Sequence, residues 1–428
     1  MAGRASLSFL GQEDISLSGD PQVTYFVERY AGQTQFAQRV DQVIFDEQSV
    51  TFGSENHRIL PRKGDLITNM YMLVQFPNIG TVLDSVGTLM FQYVELYIGY
   101  ELVERLYGEY IEMTYDLTIP KGKQPALKFL TGKTLQFQNV PLGSYYVPLP
   151  FSLFDKGLPL CAIKDDVTFR IVWNPSTFFT QPPVQYTGTF TATLSIEYTY
   201  ISEAEIRFIK GIGQTPPGSG LGAAPQAGQV PQVPQGPQGP QGSLQGQSGQ
   251  GPMAPGPGPR IFEQVQRNEF FIPQGVSNVQ CILNFYNPVK ELFFVLQQDS
   301  ARGYDYSNTA TDSARSGTIG TTDLLNALQL NFNTTDRIEP RVGTPQFLRI
   351  IQPLEFHTRV PDRLFYMYSF SLDPEGDSPT GSVNLSIIKN QILYLSLNPT
   401  QTNVNVRVYA VSYNFLEPSG RVTFSNFF

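Results

Sequence analysis

Few residues in this chain have the types and spacing that catalysis or metal binding requires. Its two histidines, His57 and His357, have no second ligand at the spacing of a metal site. The HExxH, CxxC, GxSxG, Walker A and GxGxxG patterns, which indicate zinc, redox, hydrolase and nucleotide sites, are absent from the sequence. We therefore predict no catalytic, cofactor-binding or metal-binding residues, and no cofactor.

Three groups of carboxylates are the remaining candidates for chemistry. They are Glu109 with Glu112, the pair Asp165-Asp166, and the alternating acids Asp373, Glu375 and Asp377. The first group could do general acid–base work, but we interpret it as a solvated face. The other two could bind Ca²⁺ in principle. The alternating acids lack the distal bidentate glutamate of an EF-hand loop, so we interpret them as a polar corner.

The cysteines and two asparagines allow limited covalent chemistry. Two cysteines cannot form a disulfide framework or a cysteine-rich metal site. Cys161 lies in the apolar run 158–163, which favours a buried free thiol over a bond to Cys281. Asn333 and Asn384 begin glycosylation acceptor triplets. Since Asn384 falls within a predicted strand, Asn333 is the only favoured candidate, and only in a compartment that glycosylates proteins.

The composition narrows the class of protein further. Hydrophobic residues make up 41% of the 428-residue chain, which is ample for real cores. Charged residues make up only 15%, against about 25% in a typical soluble protein. This balance is typical of a sheet-rich protein whose surface is partly covered by partners. The net charge of −8 and the lack of a Lys/Arg cluster argue against direct nucleic-acid binding.

The sequence also contains no recognisable membrane or secretion signal. Its first residues, MAGRASLSFLGQED, lack the apolar core of a signal peptide. No run of about 18 apolar residues is present that could span a membrane. We therefore expect synthesis in a reducing, intracellular compartment.

Most of the first half has the alternation that β-strands require. Residues 67–76 have apolar side chains on both faces, which predicts a central strand, and residues 167–173 and 192–200 alternate apolar with polar positions. Further strands are predicted at 23–30, 36–45, 91–98 and 144–154, the last at an edge because it contains prolines. Residues 101–117 are ambiguous, and we predict a strand end followed by a short helix.

The second half repeats this pattern. Residues 364–386 contain a strand rich in Phe and Tyr, a Pro/Gly corner and a return strand, which are parts of an antiparallel β-sandwich. Strands are predicted at 279–285, 290–298, 346–352, 364–372, 382–388, 392–397 and 403–415. Residues 324–330 (LLNALQL) predict a short helix, and residues 300–322 a long surface loop.

The middle of the chain differs in kind from both halves. Residues 213–259 contain no charged or aromatic residue and are mostly Gly, Pro, Gln, Ser and Ala, so they cannot bury enough apolar surface to fold. Glycine recurs every third residue over 236–242, but over too few triplets for a collagen helix. The predicted organisation is an N-terminal arm (1–20), a first sandwich (21–210), a flexible linker or loop (211–260) and a second sandwich (261–428).

A faint internal repeat links the two sandwiches. Three pairs of segments match in the same order: Lys63–Gln75 with Lys290–Gln297, Pro148–Leu153 with Tyr368–Leu372, and Val167–Trp173 with Val404–Ala410. The first pair is a basic turn followed by an apolar strand that ends in Gln. The matches predict two copies of one sandwich in tandem.

Seven segments spread over both halves carry a family resemblance. They are 15–30 (ISLSGDPQVTYFVERY), 60–77 (LPRKGDLITNMYMLVQFP), 98–117, 147–163 (VPLPFSLFDKGLPLCAI), 287–297 (NPVKELFFVLQ), 368–386 and 413–426. Together they resemble the double jelly-roll major capsid proteins of nucleocytoplasmic large DNA viruses. Tyr100 stands where the family's turn has a second glycine, and the Gly/Pro/Gln-rich segment 211–260 is not part of the family pattern.

The resemblance implies an all-β fold of two tandem eight-stranded antiparallel jelly rolls, with short helices in loops. It implies a structural protein and not an enzyme, with three chains forming a pseudo-hexagonal capsomer that tiles an icosahedral shell. The implied partners are the chain itself, in the homotrimer and between capsomers, and minor capsid and penton proteins. Nucleic acid is not contacted directly, and the inner viral membrane only indirectly. The implied location is the virion, after synthesis in the host cytoplasm.

Three alternatives stay open at this point. The chain could be a minor capsid paralogue, or a tandem β-sandwich binding protein of the lectin type that acts as a monomer. A glycan-cleaving β-sandwich enzyme would need a pair of carboxylates in a cleft, which the sequence does not reveal. Stable self-association distinguishes the capsid proteins from the monomeric binding protein.

Overall fold

A computed structural model describes residues 34–45, 50–133, 143–212, 258–308, 323–400, 402–417 and 420–423. The predicted arm, the strand predicted at 23–30 and nearly all of the predicted linker lie outside these residues. The boundaries proposed near residues 210 and 260 therefore stay predictions. Among the described residues, no helix is long and apolar enough to cross a membrane.

The first half forms eight strands, which we call roll 1. They are β1 (Ala37–Ile44), β2 (Glu55–Ile59), β3 (Leu66–Gln75), β4 (Phe91–Ile98), β5 (Glu101–Tyr107), β6 (Ser144–Pro148), β7 (Val167–Trp173) and β8 (Thr191–Tyr200). The helices are α1 (Val86–Leu89), α2 (Gly108–Thr118), α3 (Gln124–Thr131), α4 (Ser176–Phe179) and α5 (Glu203–Ile209), and Ser152–Phe154 is a 3₁₀ turn. The strand and helix predicted within 101–117 are confirmed.

The second half, roll 2, has eight main strands and two short ones. They are β9 (Arg260–Ile272), β10 (Asn278–Ile282), β11 (Pro288–Gln298), β12 (Leu325–Phe332), β13 (Thr335–Ile338), β14 (Tyr366–Ser369), β15 (Val383–Asn384), β16 (Gln391–Leu397), β17 (Val404–Leu416) and β18 (Val422–Thr423). Phe347–Ile351 is a π-helical segment that continues into α6 (Gln352–Phe356).

Both rolls have the same strand order. The two sheets of roll 1 have the strand orders β1-β8-β3-β6 and β2-β7-β4-β5. The two sheets of roll 2 have the orders β9-β17-β11-β14 and β10-β16-β12-β13. The short strands β15 and β18 pair with β11 and β17 of the β9-β17-β11-β14 sheet. Numbered within each roll, the main strands are ordered 1-8-3-6 and 2-7-4-5 in both cases. All of these pairings are antiparallel. Each roll is therefore a jelly roll, and the predicted duplication is confirmed.

The shared order also tests the three sequence matches. The first match joins β3 to β11, which are the third strands of their rolls. The second joins the ends of β6 and β14, the sixth strands. The third is wrong, because it joins β7, the seventh strand of roll 1, to β17, the eighth main strand of roll 2. Alternation around a single arginine is too common in strands to identify equivalent positions.

Two elements differ from the predictions. Residues 324–330 are not a helix, since Leu325–Phe332 pairs with β13 and β16, and this pairing overrides the helix propensity of Leu and Ala. Residues 346–352 are helical and not a strand. A short apolar run does not distinguish strand from helix by periodicity, and Pro353 in the first turn of α6 fits a helix start.

The return strand after the Pro/Gly corner is much shorter than predicted. Only Tyr366–Ser369 and Val383–Asn384 pair as strands. Side-chain hydroxyls bind the backbone between them: Ser369 Oγ donates to the Ser371 carbonyl at 2.8 Å, and the Asp373 N–H donates to Thr380 Oγ1 at 2.8 Å. Between Ser369 and Val383, these bonds take the place of the hydrogen bonds that two paired strands would form.

The apolar side chains form two buried clusters. One fills roll 2 and includes Cys281. The other fills roll 1 but also takes in Phe293, Val295, Tyr409 and Val411 from the outer face of the β9-β17-β11-β14 sheet. Cys161 and Cys281 are both free thiols, as predicted, but Cys161 is only half-buried, so the prediction that it is buried is wrong. The larger core is therefore shared between the rolls.

Candidate functional site

The junction between the rolls is the most distinctive site in the described residues, and we call it the seam. It lies between β5 and α2 of roll 1 and the outer face of the β9-β17-β11-β14 sheet of roll 2. The chain enters it at Gly108, where β5 becomes α2. A Cβ on Gly108 would lie 2.3 Å from the Thr88 carbonyl oxygen and 2.6 Å from that of Phe91. Only glycine fits this close approach without a shift of the backbone.

Glu109, in the first turn of α2, accepts four bonds from roll 2. The guanidinium of Arg407 donates to both carboxylate oxygens, Nε and Nη2 each at 2.7 Å. The hydroxyls of Tyr409 and Tyr306 donate to it at 2.6 and 2.8 Å. Burial would raise the pKa of Glu109, but the charge and hydrogen bonds of Arg407 keep that pKa below its usual value. The bidentate pair fixes the distance and the orientation of the rolls.

Glu112, one turn further along α2, holds a second set of partners. Lys133 Nζ lies 2.9 Å from Glu112 Oε1, and Arg363 Nε of roll 2 donates to the same oxygen at 3.1 Å. Ser85 and Thr88 donate their hydroxyls at 2.9 and 3.1 Å. Burial opposes ionisation, but the two cations nearby hold the pKa of Glu112 well below its usual range. The carboxylate is therefore ionised while buried.

These contacts overturn the interpretation of Glu109 and Glu112 as a solvated face. Glu112 is fully buried and Glu109 nearly so. The reason is that α2 lies between two sheets, so the side that would face water in a single sandwich faces roll 2. The arginines that roll 2 supplies, Arg363 for Glu112 and Arg407 for Glu109, lie 251 and 298 residues further along the chain.

Arg363 connects several groups of roll 1 to roll 2. Besides Glu112, it donates to Asp84 Oδ2 and Ser85 Oγ, each at 2.9 Å. Its guanidinium carbon lies 5.1 Å from the ring centroid of Tyr304. A buried arginine with this many partners is satisfied only when both rolls are in place.

Aromatic side chains fill the space between the ion pairs. Tyr110 lies edge-on to Phe293 with ring centroids 6.0 Å apart, and Tyr107 is edge-on to Tyr409 at 5.7 Å. The Arg267 guanidinium lies 5.2 Å from the Tyr107 centroid. Tilted and edge-on rings each add attraction beyond the area they bury. The seam therefore combines an apolar interior with a few buried charges.

Side-chain-to-backbone bonds close one end of the seam. The Glu263 N–H donates to Ser152 Oγ at 2.9 Å, and this hydroxyl donates back to the Glu263 carbonyl at 3.1 Å. Gln264 Nε2 donates to the Val103 carbonyl at 2.7 Å. These bonds place β9 along β5, so an edge strand of each roll contributes to the seam.

A cavity of about 700 Å³ lies beside this end, between α2, the 3₁₀ turn and the corner at 374–379. His357 lines it, with Nδ1 2.8 Å from Glu375 and Nε2 3.1 Å from Glu291. Burial lowers the pKa of His357, but its two carboxylate partners outweigh burial and raise it to about 9. Lys290 forms an ion pair with Glu263 in the same cavity. Glu263, Glu291 and Glu375 therefore have cationic partners. Asp155 also lines the cavity, and burial together with the charge of Glu263 raises its pKa to about 6.

The structure places the sequence candidates in separate regions. Glu375 is bound by His357 and Thr358, and Lys156 Nζ of roll 1 donates to the Asp377 carbonyl at 3.2 Å, so the polar corner is docked on roll 1. His57 lies in β2, and the Asp165 carbonyl accepts a bond from Arg62. In the part of the chain that the structure describes, no cluster of three or more His, Cys, Asp or Glu could hold a metal ion.

Asn333, the glycosylation candidate, lies exposed in the turn between β12 and β13 with a φ of 48°. Its Oδ1 accepts the Asn390 N–H at 3.0 Å. Asn384 is half-buried in β15, where its Oδ1 accepts the Ser386 N–H. Asn333 as the favoured acceptor stays a prediction.

Sequence reasoning missed the cations of the seam, Lys133, Arg363 and Arg407. One signal was available, because Arg407 interrupts the apolar strand VNVRVYAV and a buried arginine requires an acidic partner. The sequence does not show which of the 37 acidic residues that partner is.

Comparisons with known proteins cover both rolls. Residues 24–206 match a family model described as the N-terminus of a major capsid protein, and residues 253–420 match one for the major capsid protein of large eukaryotic DNA viruses. The chain is 25% identical to the major capsid protein of Pyramimonas orientalis virus, over 97% of this chain and 96% of that protein. It is 24% identical to that of Phaeocystis pouchetii virus, over 97% of each.

A solved structure shows the same fold. A quasi-atomic model of the PBCV-1 virus capsid superposes with a TM-score of 0.70 at 20% sequence identity, covering 94% of this chain and all of that one. The superposition extends over both rolls, so it includes their mutual arrangement as well as the fold of each.

Proposed function

Because the chain belongs to the family of major capsid proteins of large eukaryotic DNA viruses, we propose that it is a structural subunit of an icosahedral virus shell. Its location is then the capsid shell of the virion. The observation that carries this proposal is the seam, a buried and ion-paired junction that fixes two rolls of the same topology into one unit.

Three such chains form the capsomer in this proposal. Two similar rolls per chain supply six similar units to a trimer, which gives it a pseudo-hexagonal outline that can tile a surface. Contacts between capsomers, and contacts with minor capsid and penton proteins, complete the shell. The inner viral membrane is reached only through those partners, and the nucleic acid is not contacted.

The chain acts without a catalytic step in this proposal. The two acids of α2 are held ionised by nearby cations, Arg407 beside Glu109 and Lys133 with Arg363 beside Glu112, which lower the pKa of both carboxyl groups. A carboxylate held in this way is less available as an acid. Asp155, which lines the cavity, differs because burial raises its pKa to about 6. The buried polar groups of the seam therefore serve the arrangement of the rolls.

A major role is favoured over that of a minor paralogue. The chain matches two major capsid proteins over 97% of its own length and 96 to 97% of theirs. A paralogue with a different position in the shell would be expected to lack or replace segments that the major protein uses for tiling.

The test is native mass spectrometry of the purified chain at two concentrations a hundredfold apart. We expect a trimer that persists on dilution. A monomer at both concentrations would contradict the proposal and favour the tandem binding protein. Incubation with a panel of polysaccharides in the same preparation should release no product, and turnover would instead support a glycan-cleaving enzyme.

A further inference from the structure

A buried cluster in roll 1 places the amine of a lysine against two carboxylates. Lys133 Nζ lies 2.9 Å from Glu112 Oε1 and also donates a hydrogen bond to Asp116 Oδ1. The side chains of these three residues are at most 4% exposed. The cluster therefore encloses a nucleophile, a carboxyl group that it could attack and a second acid, all away from water.

The local fold directs Lys133 at both acids. α3 is followed by Gly132, whose φ of 69° turns the chain back toward α2, and the Lys133 N–H donates to the Lys128 carbonyl at 2.9 Å. Glu112 and Asp116 are four residues apart on α2, so their side chains lie on the same face of that helix. The amine and the two acids are therefore held together by two helices that are themselves fixed.

One oxygen of the cluster lacks a partner. Asp116 Oδ2 is buried and accepts no hydrogen bond from the residues that the structure describes. The other oxygen, Oδ1, takes the contact with Lys133, and Arg359 Nη2 lies 3.9 Å from it. A buried carboxylate oxygen without a donor is costly, because nothing replaces the water that it loses on folding. This cost falls if the carboxylate becomes a neutral group, whose oxygen carries less charge.

The resting form of the cluster is an ion pair. Burial lowers the pKa of Lys133, but the charges of Glu112 and Asp116 outweigh burial and raise that pKa. A neutral amine forms when a proton passes from Nζ to Asp116 Oδ1 along their hydrogen bond, and this transfer removes two buried charges. Since a covalent bond needs to form only once in each chain, a small population of the neutral form is sufficient.

We propose that Lys133 and Asp116 condense into an isopeptide bond, an amide between their side chains, with Glu112 carrying a proton. The Nζ lone pair attacks Cγ of the protonated Asp116 and forms the Nζ–Cγ bond. The ionised Glu112 accepts a proton from Nζ and passes it to the Oδ1 hydroxyl. The Cγ–Oδ1 bond then breaks and one water molecule leaves, with both of its hydrogens derived from the Lys133 ammonium. Oδ2 remains as the amide carbonyl oxygen.

The positions of the groups favour this reaction. Two groups that are held in contact react as one molecule, with effective concentrations of about 10⁵–10⁸ M when they are well oriented. Loss of the water molecule from the buried cluster also leaves none beside the amide to hydrolyse it. Glu112 keeps its ion pair with Arg363 after the reaction. The bond ties α2, which forms one side of the seam, covalently to the residue that follows α3.

Lys290 provides an internal comparison. It pairs with Glu263 and lies 3.7 Å from Glu291, so it also has two acids nearby. The Glu263 side chain, however, is 28% exposed and lines the cavity, and Lys290 Nζ also donates to the Pro374 carbonyl at 2.7 Å. A pair that is open to a cavity stays hydrated as ions. We therefore expect the chain to lose one water molecule and not two.

Intact-mass spectrometry of the purified full-length chain under denaturing conditions is the experiment. An unaltered chain with a cooperative thermal transition, and therefore folded, should be lighter than its sequence mass by one water molecule. After trypsin digestion, residues 106–121 should be joined to residues 129–156, because trypsin does not cut after an acylated lysine. A folded chain at its full sequence mass, with residues 129–133 released as a free peptide, would overturn the proposal.

A lysine variant identifies the amine. Lys133→Arg keeps the positive charge, but its guanidinium stays protonated and does not form the amide, so this variant should have its full sequence mass. Lys128→Arg, in the last turn of α3, is the matched control and should keep the mass deficit. A deficit of one water molecule in Lys133→Arg would overturn the assignment, because it would place the lost water elsewhere in the chain.

Two further variants test the acids. Asp116→Asn should release ammonia in place of water on the same attack, and so reach the same final mass as the unaltered chain. Glu112→Gln removes the proton carrier, so its folded fraction should remain mostly at the full sequence mass. A complete deficit in Glu112→Gln would overturn the role of Glu112 while the bond itself stands.

Discussion

The third strands of the two rolls place similar side chains on their outer faces, but in the described part of the chain only one of those faces is fully buried. Aligned on their final glutamines, Gln75 and Gln297, β3 presents Tyr71 and Leu73 where β11 presents Phe293 and Val295. Phe293 and Val295 are buried in the core shared across the seam. Tyr71 and Leu73 are half-buried, with Tyr146 5.4 Å from Tyr71 as a ring neighbour.

The difference shows that the burial of these outer-face side chains depends on whether another roll packs against the sheet. It does not depend on the sequence pattern of the strand that carries them. Roll 2 has roll 1 against its outer face within the same chain. Roll 1 has the same type of face, and among the residues that the structure describes no element of roll 2 packs against it. The outer face of roll 2 therefore stabilises the single chain, whereas the outer face of roll 1 is available for assembly.

Removing one charge of the seam, which covers the outer face of roll 2, should cause the largest loss in the free energy of unfolding. Glu109→Gln leaves the Arg407 guanidinium buried without its counter-charge, so we expect a loss of about 3–5 kcal/mol in the free energy of unfolding. Urea denaturation of dilute protein measures it. Glu203→Gln is the matched control, because Glu203 forms an exposed pair with Arg207 on α5, and it should cost less than about 0.5 kcal/mol. Equal losses in both variants would show that the seam pair is no more than a surface contact.

Equivalent truncations on the two outer faces come next. Phe293→Ala should cost about 3–5 kcal/mol, since it opens a cavity in a core that cannot collapse freely. Tyr71→Ala, at the aligned position on β3, should cost about 1 kcal/mol in dilute, unassociated protein because its side chain is already partly in water. Similar losses at both positions would mean that the face of roll 1 is covered within the chain after all.

The approach of α2 to the seam can be tested at its first residue. Gly108→Ala should cost about 1–3 kcal/mol, because the added methyl group would overlap two carbonyl oxygens and must displace α2. Gly122→Ala, where nothing lies within 4 Å of an added Cβ, is the control and should be neutral. Thermal unfolding of the two variants side by side measures the difference. A neutral Gly108→Ala would show that α2 is not held tightly.

The pH dependence should differ between the ion pairs and the histidine of the seam. The pKa values of Glu109 and Glu112 are lowered in the folded chain, so their contribution is present above the unfolded value of about 4.3 and is lost as pH falls. The pKa of His357 is raised to about 9, so its contribution is complete below its ordinary value of 6.5 and is lost as pH rises through 9.

His357→Gln isolates the alkaline part of this profile. Thermal unfolding of dilute protein from pH 4 to pH 10 should show the unaltered chain losing stability above pH 6.5 relative to the variant, by a modest amount. Parallel curves for the two proteins over this range would contradict the charged bridge between Glu291 and Glu375.

The sequence predicted most of the strands but none of the residue contacts in the seam. Alternation of apolar and polar residues identified β7 and β8, because one face of each lies in a core. Apolar side chains on both faces identified β3 as a central strand. The same reasoning failed for 346–352, where an apolar run is too short to have a readable period. It also failed for 324–330, where pairing with two strands outweighed helix propensity.

The seam was beyond such reasoning for a physical reason. Glu109 and Glu112 have the pattern of a polar helix face, and their burial depends on Arg363 and Arg407, which no local pattern connects to them. The family resemblance supplied the pairing of two rolls but no residues for their junction. The sequence predicted the strand at 36–45 but not the exposure of its side chains. Exposure depends on which side of the strand another roll covers, and the local pattern does not show this.

Electron microscopy of the purified, unaltered chain tests the central claim most directly. If three chains form one capsomer, class averages should show a closed, six-lobed outline in which each lobe is one roll. Two-lobed particles at the higher of the two concentrations used for mass spectrometry would contradict the claim, because they would show single chains that do not self-associate.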